Sequence, residues 1–436
     1  MSDRRRQLPS VDAIARQIEG YPHALVVAET RRLLASWRKS DTVPEDAVAA
    51  VRDALAELKR PSLRNVINAT GVVLHTNLGR APLASVEALD AYSNLEYDLS
   101  SGKRGKRDVH LSALLDRLLG VPAIAVNNNA AAVYLVLNEL AAGQEVIVSR
   151  GQLIEIGDGF RIPDIMQRAG VVLKEVGATN RTHLADYETS ITERTRLLLI
   201  VHPSNFRIQG FCGQPSREEI VALGRKRGIP VYEDLGSGCL VDLKPYDIDE
   251  PLVQDCVGAG MDLVSFSGDK LMGGPQAGII AGRPDLVTRL RRNPMFRALR
   301  LDKLILQQLE ATLRAVLFED WEQLPALRMI RQTAAEIQAR ATAMAAQIPN
   351  ASIAPGQSVM GGGSTPEQTL PTSLVLLEGP AVTLQKKLRS YNPPVIARIE
   401  DNRVVLDLRT VLPSQEATVI AAVRASTCEP AAPSPA

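Results

Sequence analysis

Apolar and polar positions alternate in a regular way over residues 65–290. Short apolar runs rich in Val, Ile and Leu are separated by longer stretches with the spacing of amphipathic helices. The apolar runs are EVIVSR, VVLKEV, RLLLIVH, PVYEDL, DLVSFSGD and AGIIAG, and the segment IAVNNNAAAVYLVLNEL joins such a run to a helix. This alternation predicts an α/β fold with a mainly parallel central sheet and helices on both faces.

The N-terminal region has a different pattern, with the periodicity of three short helices. Ser10 is placed to cap a helix over 11–19, and a second helix is predicted over 23–38. Thr42 and Glu45 have the spacing of a capping box before a third helix. These features predict a small helical domain. It has 12 Lys or Arg against 9 Asp or Glu within residues 1–64, with basic clusters at 4–6, 31–32, 38–39 and 59–60. A solvated surface without a partner gives the same charge pattern.

The C-terminal region reads as a smaller mixed domain. Helical periodicity extends over 303–347, and a Gly-rich loop at 361–364 precedes the apolar run SLVLLEG and a helix over 384–389. The runs VIARIE and VVLDLR are joined by Asp401 and Asn402, which is typical of a β-hairpin. We therefore predict a helical domain over 1–64, a catalytic α/β domain over 65–300, an α+β domain over 301–425 and a flexible tail over 426–436.

The composition mainly excludes functions. The chain has 436 residues and 50 Lys and Arg against 49 Asp and Glu, so the protein as a whole is not a polyanion binder, although a local basic surface is compatible with this balance. The four cysteines are scattered singly, which predicts neither a disulfide framework nor a metal site. No run approaches the roughly 20 apolar residues that cross a bilayer, and no signal-peptide core follows the N terminus. We predict a cytoplasmic protein.

Two strand ends carry the residue types that pyridoxal phosphate requires. Lys270 follows the run DLVSFS in the Gly-rich segment FSGDKLMGGPQAG, and Asp234 ends the run PVYEDL. Each residue alone has an ordinary explanation, as a surface lysine or as a helix cap. Together they supply an amine for the cofactor's aldehyde and a carboxylate for its ring nitrogen. The pair therefore predicts a pyridoxal phosphate site.

A third segment supplies a candidate phosphate site. In NNNAAAV, polar residues follow a strand and small residues begin a helix, whose first N–H groups favour an anion. We expect Asn128, Asn129 and Ala130 to bind the phosphate, with Ser267 adding its hydroxyl. The residue that stacks on the ring is not decided by the sequence.

The longer motifs together resemble the bacterial selenocysteine synthases, the L-seryl-tRNA(Sec) selenium transferases. They occur in one order between residues 62 and 409: VINATGVVLHTNLGRAPL, SNLEYDLSSGKRGKRD, NNNAAAV, EIGDGFRIPDIM, GATNRT, HPSNFRIQGF, DLGSG, SFSGDKLMGGPQAGII and RALRLDK. The resemblance implies a fold-type-I pyridoxal phosphate transferase that forms a ring-shaped homodecamer of dimers, with its active sites at subunit interfaces. It also implies that the N-terminal domain binds the selenocysteine tRNA through its basic clusters.

The resemblance also assigns roles to residues. Lys270 matches the lysine that forms the Schiff base with the cofactor. The positions that match those around the selenium donor are Asp269, Arg80, Arg107, Arg297 and Arg300. Selenophosphate is a compact polyanion, and guanidinium groups suit its oxygens. On spacing alone, Arg297 and Arg300 are better explained as an exposed helix surface.

The reaction implied is the conversion of L-seryl-tRNA(Sec) to L-selenocysteinyl-tRNA(Sec) with selenophosphate, through an aminoacrylyl-tRNA intermediate on pyridoxal phosphate. Two alternatives stay open. The first is a pyridoxal phosphate lyase that acts on a small amino acid or amino sugar, for which a tRNA-binding domain has no use. The second is a non-catalytic tRNA-binding protein with a decayed cofactor site, against which the intact Lys270 and Asp234 argue.

Overall fold

The computed structural model describes residues 8–40, 43–87, 89–157 and 159–427. The chain divides into two compact units, Met1–Asn65 and Val66–Ala436. Among the helices of the described ranges, none is both long enough and apolar enough to cross a membrane.

The first unit consists of three helices around a small apolar core. They are α1 (Val11–Ala15), α2 (His23–Lys39) and α3 (Ala47–Lys59). The buried residues at their contacts include Ile14, Val26, Leu34, Val51 and Leu55. Each helix therefore contributes one apolar face to the core, as its periodicity predicts.

Two helix termini in this unit differ from the prediction. Ser10 caps α1 as predicted, but the helix ends at Ala15, and the next N–H groups, of Gln17 and Ile18, donate to carbonyls only three residues back. The third helix begins at Ala47 because Asp46 accepts hydrogen bonds from two N–H groups of the first turn. The predicted capping box is therefore wrong as the helix start, and its Thr42 lies outside the described residues.

The second unit alternates strands and helices. Its strands are β1 (Ile67–Asn68), β2 (Tyr97–Asp98), β3 (Lys103–Arg104), β4 (Ala123–Val126), β5 (Glu145–Ser149), β6 (Glu155–Ile156), β7 (Phe160–Arg161), β8 (Val172–Val176), β9 (Thr195–Val201), β10 (Val231–Gly236), β11 (Leu263–Ser267), β12 (Gly278–Gly282), β13 (Ala351–Val359), β14 (Thr369–Leu377), β15 (Val395–Ile396), β16 (Arg398–Glu400) and β17 (Arg403–Asp407). Its helices are α4 (Val109–Leu119), α5 (Asn129–Ala141), α6 (Ile162–Arg168), α7 (Leu184–Ser190), α8 (Arg217–Arg227), α9 (Val253–Gly258), α10 (Pro284–Arg292), α11 (Pro294–Ala298), α12 (Lys303–Leu317), α13 (Pro325–Arg331), α14 (Ala334–Ala345), α15 (Ala381–Ser390) and α16 (Glu416–Thr427).

The central sheet has the strand order β4-β12-β11-β10-β9-β5-β8. Strands β8, β5, β9, β10 and β11 pair in parallel, whereas β12 runs antiparallel to both β11 and β4. The predicted α/β fold with a mainly parallel sheet is confirmed.

Both faces of this sheet are buried, which explains the nearly continuous apolar runs. Along β9, Leu197, Leu199 and Val201 belong to one core cluster, and Leu198 and Ile200 to the other. Since neighbouring side chains point to opposite faces of a strand, a run of apolar residues serves two cores at once. The carboxyl ends of β9, β10 and β11 meet at one edge of the sheet, where α/β proteins bind their ligands.

The long helical stretch after residue 300 is three helices in the structure. The first, α12, gives way at Glu319, whose φ of 55° is left-handed, to a turn before Pro325 begins α13. The third, α14, has its own capping box between Thr333 and Glu336. One continuous helix over 303–347 is therefore excluded.

A second sheet follows with the order β13-β14-β17-β16, packed against helices α14, α15 and α16. The predicted hairpin is confirmed, since β16 pairs antiparallel with β17 and Asp401 and Asn402 both have positive φ. Strand β13 has no counterpart in the prediction. The predicted boundary between residues 300 and 301 stays a prediction.

Candidate active site

Lys270 and Asp234 line one cavity of about 260 Å³. Both residues are only 5% exposed. The walls of this cavity, called here the lysine cavity, also include Thr76, Arg80, Asn128, Asn129, Ala130, His202, Ser204, Ser267, Asp269 and Gln276. The predicted amine and carboxylate therefore face the same space, so that one small molecule can contact both.

The loop after β11 holds Lys270 through tight backbone packing. Gly268 donates to the Ala277 carbonyl and accepts from Gly274, which closes the loop on itself. A Cβ atom at Gly268 would lie 2.6 Å from the Pro275 carbonyl oxygen, so a larger residue does not fit there. The Gly-rich segment noted in the sequence thus fixes the position of the lysine.

Asp234 lies on β10 and is held by neutral donors. Its Oδ1 accepts from Asn129 Nδ2 at 2.8 Å and from the Gly236 N–H at 3.1 Å. Burial raises the pKa of the Asp234 carboxyl, while the Asn129 hydrogen bond and the charge of Lys270 act in the opposite direction. A cation against this carboxylate would restore its ordinary acidity.

The surroundings of Lys270 favour its neutral amine. Burial lowers the pKa of Lys270, and the positive charge of Arg80 lowers it further. Arg80 in turn binds Asp269, with Nη1 and Oδ2 2.7 Å apart. A neutral buried amine is a nucleophile toward an aldehyde.

The predicted phosphate-binding residues meet at the start of α5, but their side chains have other partners. Asn128 caps the helix by accepting from the Ala131 N–H at 2.9 Å, and Asn129 donates to Asp234. A Cβ at Gly278 would lie 2.1 Å from the Asn128 carbonyl oxygen, so β12 passes close to this turn only because residue 278 is glycine. The groups left for a phosphate are backbone N–H groups of the first turn and the nearby Ser267 hydroxyl.

This donor set fits pyridoxal phosphate. The cavity combines an amine, a carboxylate and a helix N terminus, the three partners that its aldehyde, ring nitrogen and phosphate need. Two buried oxygens within it, Asn129 Oδ1 and Asp269 Oδ1, have no hydrogen-bond partner among the described residues. Unpaired buried oxygens are costly, which is consistent with a polar ligand in this place.

The predicted selenium-donor residues do not form one cluster within a chain. Arg80 and Asp269 lie beside Lys270, but Arg107, Arg297 and Arg300 line a separate cavity of about 550 Å³. This second space, called here the arginine cavity, also contains Arg104, Lys106, Arg291, Arg292 and the acidic residues Glu96 and Asp108. Within one chain the five residues are therefore divided between two cavities, and their role around the selenium donor stays a prediction.

Contacts with Glu96 hold part of the arginine cavity in place. Arg107 Nη2 lies 3.0 Å and Arg300 Nη1 3.5 Å from Glu96 Oε1. Arg107 also donates to the Leu301 carbonyl at 2.6 Å. The contact between Arg107 and Leu301 joins segments that are 194 residues apart in the chain, which the motif spacing does not reveal.

His202 and Ser204 belong to the lysine cavity and are absent from the set predicted from the sequence. His202 follows β9, and its Nε2 lies 3.1 Å from Glu250 Oε1. The strand-end position in RLLLIVH is the signal that could have identified His202, since residues at this edge of a parallel sheet face ligands.

Comparison with known proteins agrees with this geometry. The family model for L-seryl-tRNA selenium transferases matches residues 66–412. The chain belongs to this family. It is 47% identical to the L-seryl-tRNA(Sec) selenium transferase of Moorella thermoacetica over 94% of each chain. Identity to the enzyme of Aquifex aeolicus is 43%, over 93% of this chain and 95% of the relative.

A solved structure supports the fold. D-Glucosaminate-6-phosphate ammonia-lyase superposes with a TM-score of 0.59 over 86% of this chain and 97% of its own, at 21% identity. At that identity the similarity concerns the fold alone. The predicted family, fold-type-I class and enzyme class are confirmed, as is the pyridoxal phosphate cofactor. As a member of this family, the protein takes part in selenocysteine biosynthesis.

Proposed function

We propose that this protein converts L-seryl-tRNA(Sec) to L-selenocysteinyl-tRNA(Sec) with selenophosphate as the selenium donor. The observation that carries the proposal is the shared cavity of Lys270 and Asp234, in a chain of the selenium transferase family. The lyase alternative has no comparable support, since the ammonia-lyase similarity extends only to the fold. We also propose that the protein is cytoplasmic, because its proposed substrate is a bacterial tRNA.

Lys270 is the acid–base residue of this proposal. Lys270 would hold the cofactor through its amine, and its atom Nζ is the base placed to remove the Cα proton of the seryl group. When bound, the cofactor would supply an electron sink that makes this proton acidic and allows the β-hydroxyl to leave. Asp234 would hold the ring nitrogen in its protonated form.

Arg80 and Asp269 orient the selenium donor at the β-carbon. The Arg80 side chain is 29% exposed, so it can reach an anion that enters from solvent while it stays bound to Asp269. A guanidinium held by a carboxylate presents its remaining N–H groups in a fixed direction, which suits phosphate oxygens. Within the described part of the chain, Asp269 Oδ1 has no hydrogen-bond partner, so it is available to accept a proton from the donor.

The arginine cavity serves the active site of a second copy in this proposal. Within one chain, Arg107, Arg297 and Arg300 are separated from Lys270, whereas in a homo-oligomer with interfacial sites a neighbouring subunit can contribute them. We propose that the oligomer is a homodecamer built from dimers, as the family resemblance implies.

The N-terminal unit binds the tRNA in this proposal. Its exposed basic residues include Arg31, Arg38, Lys39, Lys59 and Arg60, which can contact phosphates without reading sequence. The cluster at 4–6 lies outside the described residues. Since this unit has its own core, it can present a basic surface independently of the catalytic sheet.

The direct experiment is incubation with seryl-tRNA(Sec) and selenophosphate, followed by analysis of the aminoacyl group. We expect selenocysteine with the unmodified chain and with Lys386→Ala, which removes an exposed lysine outside the cavity. Lys270→Ala should give none. Conversion of serine to free pyruvate by the unmodified chain, without selenocysteine, would support the lyase alternative instead.

A further inference from the structure

One segment of the chain connects the second sheet to the lysine cavity. This linking segment, residues 67–81, begins with β1, which pairs in parallel with β15. Near its other end, the Arg80 guanidinium binds Asp269, with Nη1 and Oδ2 2.7 Å apart. Thr76 and Arg80 both line the lysine cavity. The position of Arg80 therefore depends on how the two ends of the linking segment are held.

At the cavity end, backbone contacts fix the direction of Arg80. Gly79 and Arg80 have φ angles of 91° and 65°, and a left-handed φ in a residue with a side chain persists only where its surroundings maintain it. The Arg80 N–H donates to the His75 carbonyl at 3.0 Å, and the Ala81 N–H donates to the Asp269 carbonyl at 3.1 Å. The guanidinium thus meets Asp269 because the backbone of the linking segment directs it there.

The other half of the linking segment is paired with the second sheet. The N–H groups of Val73 and Leu74 donate to the carbonyls of Val359 and Met360, at 3.0 and 2.7 Å. The Val359 N–H donates in return to the Gly71 carbonyl at 2.9 Å. This half of the segment therefore follows the second sheet rather than the central one.

A buried carboxylate lies against this half. Asp407, the last residue of β17, is 0% exposed, and a Cβ at Gly71 would lie 2.1 Å from its Oδ2. Its oxygens accept from the hydroxyls of Ser358 and Thr372, at 2.7 and 2.9 Å, and from the Arg409 N–H at 3.0 Å. The carboxylate is thus fixed within the sheet, and the linking segment approaches it only because residue 71 is glycine.

Arg398 joins this carboxylate to the linking segment. Its Nη1 lies 3.7 Å from Asp407 Oδ2 and also donates to the Thr70 carbonyl. Its Nε binds Glu400 at 2.6 Å, but the Glu400 side chain is 49% exposed, so that pair contributes little. Because Asp407 is buried, its charge is the stronger attraction and keeps the Arg398 guanidinium at Thr70.

We propose that Asp407 and Arg398 are positioning residues that set the place of Arg80 through the linking segment. His75, whose carbonyl accepts from the Arg80 N–H, directly follows Leu74, which pairs with the second sheet. A shift of the paired half therefore moves the turn that carries Arg80. The inference rests on the proposed role of Arg80, and it gives the second sheet a part in the active site. Neither Asp407 nor Arg398 touches the reacting atoms.

The test measures how fast phenylglyoxal, a reagent for guanidinium groups, modifies Arg80 in the full-length protein, with peptide mass spectrometry to locate the product. The Arg80 side chain is 29% exposed, so the reagent can reach it. The variants are Asp407→Asn, which keeps the shape but removes the charge, and Arg398→Gln, which changes a less buried residue and serves if Asp407→Asn does not fold. Arg403→Gln is the matched control, since it removes an arginine of the same sheet whose partner Glu378 is exposed.

We expect Asp407→Asn and Arg398→Gln to accelerate the modification of Arg80 by about threefold, as for the loss of a partly exposed ion pair. Arg403→Gln should not change the rate. Arg217, bound to Glu233 with Nη2 and Oε1 2.7 Å apart, is the internal reference and should react as in the unmodified chain. An unchanged rate at Arg80 would overturn the proposal. Equal acceleration at Arg80 and Arg217 would show a general loosening of the fold and would overturn it as well.

A second readout is the pH at which the cofactor-free protein reacts with pyridoxal phosphate. The positive charge of Arg80 lowers the pKa of Lys270, so a displaced Arg80 should move this pH upward in Asp407→Asn. The charged groups that act on Lys270 are Arg80, Asp234, Asp269 and Glu250.

The double variant Asp407→Asn with Arg80→Gln should show the shift of Arg80→Gln alone, because both changes act through one guanidinium. Additive shifts would mean that Asp407 acts on Lys270 by another route, and they would overturn the proposal. Since no tRNA or selenium donor takes part in either measurement, failure of the proposed transfer reaction would not affect these results.

Discussion

At the scale of single residues, the lysine cavity excludes water from Lys270 and Asp234, and the neighbouring groups determine whether these side chains are charged. Burial disfavours the ionised forms of both Lys270 and Asp234, so each depends on its neighbours. Arg80 pushes Lys270 toward the neutral amine that reacts with an aldehyde. In the proposed function the same guanidinium, bound to Asp269, also binds the anionic selenium donor. Under that proposal one residue links cofactor loading with donor binding.

This link predicts that Arg80→Gln raises the pKa of Lys270, because a positive charge beside the amine is lost. The amine would then be deprotonated only at higher pH, so the pH at which the cofactor-free protein reacts with pyridoxal phosphate should move upward. Absorbance measurements of this reaction across pH check the shift. Arg107→Gln, in the arginine cavity, is the control. An unchanged or downward shift with Arg80→Gln would contradict the coupling.

At this scale, the sequence predicts which residues line the site but not all of their hydrogen-bond partners. The shared cavity of Lys270 and Asp234 was predictable because both residues lie near the carboxyl ends of strands that share an edge of the sheet. The actual partners of Asn128 and Asn129 were not, since they depend on how closely α5 approaches β10. Asn129 reaches a carboxylate 105 residues away in the chain.

At the scale of elements, the contact between β12 and the start of α5 positions the proposed phosphate site. The antiparallel strand passes the first turn of the helix at Gly278, where a Cβ would overlap the Asn128 carbonyl. The N–H groups of that turn keep their direction only while this contact is undisturbed. Strand packing and anion binding are therefore connected through one glycine.

We predict that Gly278→Ala lowers the free energy of unfolding by about 1–3 kcal/mol, as overpacked sites do, and weakens pyridoxal phosphate binding. Denaturant unfolding and cofactor titration measure the two effects. Gly258→Ala is the control, because nothing lies within 4 Å of a Cβ at that position. If Gly278→Ala binds the cofactor as tightly as the unmodified chain, the helix turn is not the phosphate site.

The ends of some strands and helices are predictable from the sequence, whereas others are not. Strands β5 and β9 are buried on both faces, so their apolar runs mark them without ambiguity. The start of α3 instead depends on one side chain, since Asp46 accepts hydrogen bonds from two N–H groups of the first turn. Such a cap is not part of the hydrophobic period.

At the scale of the whole molecule, the separation of the lysine cavity from the arginine cavity within one chain supports the proposal that a neighbouring copy completes the active site. The lysine cavity contains the groups for the cofactor, and the arginine cavity contains most of the positions matched to the selenium donor. The motifs indicate all these residues but not which copy of the chain supplies them. Only the folded chain shows the separation.

A complementation experiment tests this division. Lys270→Ala and the double variant Arg297→Ala with Arg300→Ala should each be inactive alone. Mixed oligomers contain sites with an intact lysine from one chain and intact arginines from the other. In randomly mixed dimers this recovers on the order of a quarter of the unmodified activity. Activity no higher than that of either variant alone would show that the arginines do not act across subunits.

The N-terminal unit carries the second whole-molecule prediction. Replacing the exposed Arg38 and Lys39 by Ala should weaken tRNA binding and reduce its salt dependence, because two phosphate contacts are lost. The cofactor absorbance should stay unchanged. Filter binding at several salt concentrations measures the tRNA affinity and its salt dependence. The double variant Lys386→Ala with Arg389→Ala is the control for lost charge. Equal weakening by the control pair would place the tRNA elsewhere.

Lys270, at the end of β11, is the residue proposed to hold the cofactor. Reduction of the loaded protein with borohydride fixes the cofactor to its lysine, and peptide mass spectrometry then locates it. We expect a pyridoxyl group on the peptide that contains Lys270, and its loss in Lys270→Ala. Attachment to any other lysine of the chain would show that Lys270 does not hold the cofactor.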